Sequence, residues 1–211
     1  AVIAAAGTCF LGVGFAGETA GTVSDFAMIV TSFTQPQKYN ATGAAVAIPT
    51  AAAGQTSQAD RTLVVPDGFS IQDVNVQFNI THADVTRLTL QLISPGGTVV
   101  ELFSNVGQVG TKANFLNTIL DDQAATRIQN SQAPFFGTFR PEVGSPLSQF
   151  TTTISAGTWT LRVINTATAG AASPAGSIGS FTLTLAKPVD ASQDGLAVVD
   201  TGTVGLSIFN S

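Results

Sequence analysis

Asn-Ile-Thr-His-Ala-Asp-Val-Thr-Arg-Leu-Thr-Leu-Gln-Leu-Ile-Ser-Pro-Gly-Gly, residues 79–97, decides how the rest of the chain is read. From Leu88 the residues alternate. Leu88, Leu90 and Leu92 fall on one side of an extended chain, and Thr89, Gln91 and Ile93 on the other. A period of two is the mark of a half-buried strand. Ser94-Pro95-Gly96-Gly97 then interrupts it with a proline preset for a turn and glycines that accept positive φ. Strand character resumes from Thr98 to Phe103, so the stretch predicts a β-hairpin.

The same alternation recurs on both sides of the hairpin. Val74, Val76, Phe78 and Ile80 are inward candidates, with Asn75, Gln77 and Asn79 outward; Ile71 is out of parity, so the register begins at Val74. Residues 158–164 read as a strand, and Phe181, Leu183 and Leu185 alternate with Thr182 and Thr184. Shorter strands are expected at 44–49 and 61–66, the second ending at the turn Pro66-Asp67-Gly68. Residues 34–38 read as a polar connector, 104–112 as a polar loop, and 146–150 as a short helical turn. Residues 129–144 read as loop, because Pro134, Gly137 and Pro141 block a long element; Phe135, Phe136 and Phe139 are expected to plug the core from it. Short strands punctuated by turns, with no long helical period, predict an all-β sandwich. Further strand material is expected at Val13 to Phe15, Asp25 to Phe33, and at Val204, Leu206 and Ile208.

Composition narrows the function classes. Charged residues make up 10% of 211 residues, against about 25% in ordinary domains. Thr, Ser, Asn and Gln must therefore cover the surface, as in secreted repeat modules and in subunits that bury much of it in an assembly. The net charge is −5 and the basic residues are scattered, which excludes a nucleic-acid stripe and an anionic-membrane patch. Cys9, the single cysteine, has no internal partner and reads as a small buried apolar residue. Residues 1–17 are uncharged, but Gly7, Gly12, Gly14 and Gly17 interrupt them, so no membrane span is expected. Without an initiator Met or basic n-region the start reads as processed or trimmed. Residues 12–17 match a dinucleotide fingerprint but lack its β-α-β context, so a Gly-rich strand or turn is the reading.

The ordered motifs resemble the P domain (P/Homo B domain), which follows the catalytic domain in subtilisin-like proprotein convertases and occurs in bacterial secreted and surface proteins. They are Ile80-Thr81-His82, Leu88 to Gly97, Asn114-Phe115, Asp121-Asp122 with Ala124-Ala125, residues 134–141 (Pro-Phe-Phe-Gly-Thr-Phe-Arg-Pro), residues 157–163 (Gly-Thr-Trp-Thr-Leu-Arg-Val) and Phe181 to Leu185. The resemblance spans about Ala44 to Lys187 and implies a jelly-roll-like antiparallel β-sandwich with extra N- and C-terminal strand segments. It suggests three parts: an extended N-terminal segment at 1–43, open to intersubunit use, the sandwich at 44–188, and a C-terminal linker and strand at 189–211. Three positions depart from the family pattern: Thr86-Arg87 stand where Gly-Asp is usual before Leu88, Asn165 follows the Leu-Arg-Val strand in place of Asp, and Gly179-Ser180-Phe181 replaces Asn-Ser-Trp. Two expected carboxylates are missing.

Chemistry is sparse. His82 is the single histidine, so it alone could serve as base to a nucleophile; at a strand end beside Asp84 it reads as a hydrogen-bonded structural residue. No Gly-x-Ser-x-Gly or His-Glu-x-x-His motif occurs, and no enzyme activity is expected. Asp121 and Asp122 are the candidate metal ligands, for calcium, with Asp67 or backbone carbonyls completing the oxygen set; the alternative is an acidic turn capping the residues that follow. Asn79-Ile80-Thr81 matches a glycosylation sequon but lies in a strand, so it reads as incidental; Asn40-Ala41-Thr42 matches one on a loop. Trp159 lies in a strand motif expected in the core, which weakens a carbohydrate-binding reading.

The expected function is that of a non-catalytic, secreted structural protein at the cell surface or outside it. It would be a building block of a filament or surface assembly, self-associating into a homopolymer by terminal strand exchange. The alternative is an accessory P domain that partners and stabilises a subtilisin-like protease catalytic domain. Neither nucleic acid nor membrane is an expected partner.

Overall fold

The computed structural model describes residues 36–187. Ten strands follow in chain order: β1 (Gln37–Asn40), β2 (Val46–Ile48), β3 (Thr56–Val65), β4 (Asp73–His82), β5 (Leu88–Ile93), β6 (Val99–Ser104), β7 (Gly110–Leu120), β8 (Ala133–Phe139), β9 (Gly157–Thr166) and β10 (Gly176–Ala186). The helical content of the described residues is three short 3-10 helices, Val85–Arg87, Ile128–Asn130 and Leu147–Phe150. The expected strands at 13–15, 25–33 and 204–208, Cys9 and the Gly-rich run at 12–17 lie outside the described residues.

Two sheets form a β-sandwich. One has the order β1-β10-β4-β7-β8, with β2 also on β10; the other has the order β3-β9-β5-β6. Every pair is antiparallel except β7 with β8. The alternating residues do as their period requires. Val74, Val76, Phe78 and Ile80 of β4, and Leu88, Leu90 and Leu92 of β5, are buried, as are Trp159, Leu161 and Val163 of β9 and Phe181, Leu183 and Leu185 of β10. They join one core between the sheets. A file of phenylalanines runs through it: Phe103 stacks on Phe115 and Phe115 on Phe135, both at 4.9 Å between ring centroids. Such pairs add about 0.5–1.5 kcal/mol each beyond their burial. Trp159 meets Phe150 edge-on, and its Nε1 donates to Ser155 O at 2.8 Å.

The β5–β6 hairpin closes at Ser94–Gly97. Ser94 N donates to Thr98 O (2.9 Å), Gly97 N to Ser94 O (3.0 Å) and Thr98 N to Ser94 Oγ (3.1 Å). Gly97 has φ +83°, which only glycine adopts at little cost.

Three local expectations change. Residues 129–144 are not all loop: 133–139 form β8. Pro134 is tolerated near the start of an edge strand, where its missing N–H breaks no inner ladder. Because a strand alternates, the three phenylalanines cannot all point inward. Phe135 is fully buried, Phe139 packs edge-on against it, and Phe136 is 72% exposed. The expected loop at 104–112 yields to β7 from Gly110, and the connector at 34–38 yields to β1 from Gln37, which pairs with β10 through Gln37↔Leu185 and Asn40↔Thr182.

Candidate functional site

His82 ends β4 and is 1% exposed. Its Nε2 lies 3.0 Å from Pro174 O, and its Nδ1 accepts from Asp84 N at 3.1 Å. A carbonyl can only accept and a peptide N–H can only donate, so the ring is the neutral tautomer with its proton on Nε2. Both nitrogens are committed to backbone, and neither is open to a nucleophile. The Asp84 carboxylate accepts from Thr86 N and Oγ1 and from Arg87 Nε. Partial burial works against its charge, but the bonds from Thr86 and Arg87 outweigh this and hold the carboxyl below the usual range. Thr86 and Arg87, the two residues that depart from the family pattern before Leu88, are thus the ones that hold Asp84.

Asn165 is fully buried on β9. Its Nδ2 donates to Pro49 O and Pro174 O, both at 2.9 Å, and its Oδ1 accepts from Ser173 Oγ. An aspartate here could not donate to either carbonyl, so the departure from the family pattern suits the site. Pro174 O receives both His82 and Asn165, which joins the strands of both sheets at one corner. Gly176 sits against this corner; a Cβ on it would lie 2.5 Å from Thr81 O and 2.7 Å from His82 Cδ2.

Asp121 and Asp122 follow β7. Asp121 Oδ1 accepts from Gln123 N at 2.7 Å. The two oxygens of Asp122 accept from Leu147 N (3.0 Å) and Ser148 N (2.8 Å), satisfying free donors at the start of the Leu147–Phe150 helix. Burial pushes the nearby Asp73 carboxyl up; the charges of Asp121 and Asp122 add to this, and bonds from Val74 and Gln123 oppose it. Asp67, the suggested further ligand, accepts from Tyr39 Oη at 3.0 Å, and burial and that bond push the tyrosine up to about 12. Calcium asks for six to eight oxygens. Among the described residues no group of three or more His, Cys, Asp or Glu side chains is placed to hold a metal. As placed, three of the four oxygens of the aspartate pair serve as acceptors for the chain itself.

On the outer face of the larger sheet, Asn79 lies between two irregularities, one in β7 at Leu116–Thr118 and one in β10 at Ile178–Ser180. Its Oδ1 accepts from Asn117 N (2.7 Å), and its Nδ2 donates to Asn117 Oδ1 (3.0 Å) and Ser180 Oγ (2.7 Å). Its Oδ1 gives Asn117 N an acceptor at the β7 irregularity, and its Nδ2 is spent on two side chains, which leaves the sequon without a free amide. Arg61, buried on β3, donates to the carbonyls of Gly43, Ala44 and Ile178. Sequence reading missed both roles, because the partners are distant in the chain.

A family model for the proprotein convertase P-domain matches residues 71–185. The chain belongs to the proprotein convertase P-domain family. Its match takes in β4 to β10 up to Leu185, with His82, Asn165 and the aspartate pair inside it. Among solved structures the chain is similar to the serine protease of Aeromonas sobria, at 19% identity and a TM-score of 0.43 over 77% of this chain and 28% of that one. It is also similar to the complex of the Aeromonas sobria serine protease with the chaperone, at 20% identity and a TM-score of 0.41 over the same shares. The chain thus covers 28% of the length of each of these proteins. No curated protein matches. Among the described residues, no helix is long and apolar enough to cross a membrane.

Proposed function

We propose that this P-domain chain is a non-catalytic, secreted structural module, a building block of an extracellular filament or surface assembly. The observation that carries the non-catalytic part is His82, whose two ring nitrogens are both spent on backbone. The assembly part is supported by the low charge of the chain, 10% of its residues, which suits surface buried between subunits. The alternating apolar residues Val204, Leu206 and Ile208, and the uncharged start of the chain, are the segments that would pair with a neighbouring subunit at an open sheet edge. Negative-stain electron microscopy and light scattering of the full chain test this. Ordered polymers that vanish when residues 1–15 or 204–209 are deleted, with the sandwich still folded, are the expected result. A clean monomer at every concentration, or polymers indifferent to both deletions, overturns it.

A second reading rests on the family match: the module stabilises a subtilisin-like catalytic domain. Slower thermal inactivation of such a domain on adding this chain is its expected sign. No effect at saturating chain removes it.

A further inference from the structure

The outer face of the β1-β10-β4-β7-β8 sheet holds side chains in registered rows. One row runs Asn40, Thr182, Gln77, Ile119, Thr138 across five strands. The next runs from Ser180 through Asn79 to the Leu116–Asn117 irregularity and Phe136. Neither row contains a charge; Lys38 stands in the next row, with Asp121 and Arg140 just past the ends of β7 and β8 and Asp73 at the start of β4. At the β8 end Phe136, 72% exposed, pairs in register with Leu116, 41% exposed. We propose that this face binds an extended, uncharged polysaccharide, with Phe136 as the platform for the apolar face of one sugar ring and Gln77, Asn117 and Thr138 bonding the hydroxyls of its neighbours.

The chemistry of the face selects this occupant. A charged polymer would find no counter-charge in these rows and would lose hydration on docking. A protein partner of ordinary stability needs about 1,200 Å² or more with a desolvated apolar centre. Here the exposed large apolar side chains are two, beside amides and hydroxyls. A neutral sugar is amphipathic in the matching way, with C–H groups for the electron-rich ring face and hydroxyls that both donate and accept. Neighbouring strands stand about 4.8 Å apart, close to the advance of one pyranose along an extended chain. Asn79 locks Asn117 in place, so little side-chain freedom is lost on binding.

The test is sedimentation of the full chain with microcrystalline cellulose, chitin and curdlan, and with acidic hyaluronate for contrast. Retention on at least one neutral polymer is expected, falling at least tenfold in Phe136→Ala and several-fold in Gln77→Ala. Phe136→Tyr, which keeps the ring, should bind as the parent does, and Val64→Ala on the opposite sheet should change nothing. Circular dichroism and an unchanged Tm establish that Phe136→Ala is folded. No retention on any neutral polymer, equal retention by Phe136→Ala, or preference for hyaluronate overturns the proposal. So does a change of oligomeric state in Phe136→Ala with retention unaltered, which would make the face a contact between protein chains.

Discussion

On the outer face of the smaller sheet, Asp60 meets Arg162 through two bonds of 2.9 and 2.8 Å, and Glu101 stands in the same row beyond Gln91. On the outer face of the larger sheet, the corresponding central position is Asn79, bonded to Asn117 and Ser180 with no charge in its row. The two solutions respond differently to water. An exposed ion pair gains little, because solvent screens it and two long side chains must be ordered. The Asn79 amide instead accepts from a backbone donor, Asn117 N, at a break in the ladder, and losing that acceptor would leave the donor unmatched. The uncharged face is therefore held by neutral side-chain bonds at its bulges, and the charged face by an exposed ion pair.

The largest expected effect lies where the two sheets are joined. Asn165→Asp places a buried carboxylate against two carbonyl oxygens and should cost roughly 3–5 kcal/mol at neutral pH by urea denaturation, the range for an uncompensated buried charge. The loss should shrink in acid, because a protonated aspartic acid can donate to one of those carbonyls again. A loss that does not change with pH would mean that packing, not charge, fixes this residue.

Asn79→Ala on the uncharged face should cost about 1–3 kcal/mol, since Asn117 N loses its acceptor. Asp60→Ala on the charged face should cost under about 1 kcal/mol, and less as salt is added. Equal costs at low salt, measured by urea denaturation, would erase the contrast between the faces.

The pH dependence of stability sharpens it further. The depressed carboxyl of Asp84 contributes stability that is present above its unfolded pKa, near 3.9, and is lost as pH falls through the folded value. The raised carboxyl of Asp73 acts the other way: its ionised form is penalised in the folded state, so the penalty is relieved as pH falls. Asp84→Asn should therefore flatten the acid loss of stability, and Asp73→Asn should raise Tm at pH 7 and steepen that loss. Thermal melts between pH 3 and pH 7 (roughly the carboxylate range) read both. Opposite signs would mean that the two environments are reversed.

Calcium should have the smallest effect. With Asp122 capping the Leu147–Phe150 helix, millimolar calcium is expected to leave Tm within about a degree, well under the shift of a bound ligand. Asp122→Ala should lower Tm with or without calcium, by the roughly 1 kcal/mol of a lost cap. A calcium-dependent rise in Tm that Asp121→Ala abolishes would establish the aspartates as ligands instead.

Much of the fold was legible in the chain because alternation is local. Val74 to Ile80, Leu88 to Leu92 and Phe181 to Leu185 each declare their buried side without reference to any other strand. The Ser94–Gly97 turn is likewise written in residues that meet its own backbone demands. The site was less legible. His82 reads as structural from its place at a strand end beside Asp84, but Asn165 reads only as a departure from a family pattern until Pro49 and Pro174 are beside it. Phe136 reads as core beside Phe135 and Phe139, because three aromatics in five residues look alike until a strand sets their parity.

By itself, then, the amino-acid sequence determined the all-β class, the hairpin, the parity of the long strands, and an uncharged chemistry with one imidazole and no basic stripe. Tertiary structure alone decided that Arg61 answers carbonyls as far as Ile178, 117 positions away, that Asn79 spans two bulges, and that Phe136 faces water. The reason is physical: side-chain periodicity follows from one residue's neighbours along the backbone, whereas buried polar groups and bulges are matched only by whatever strand the fold brings alongside.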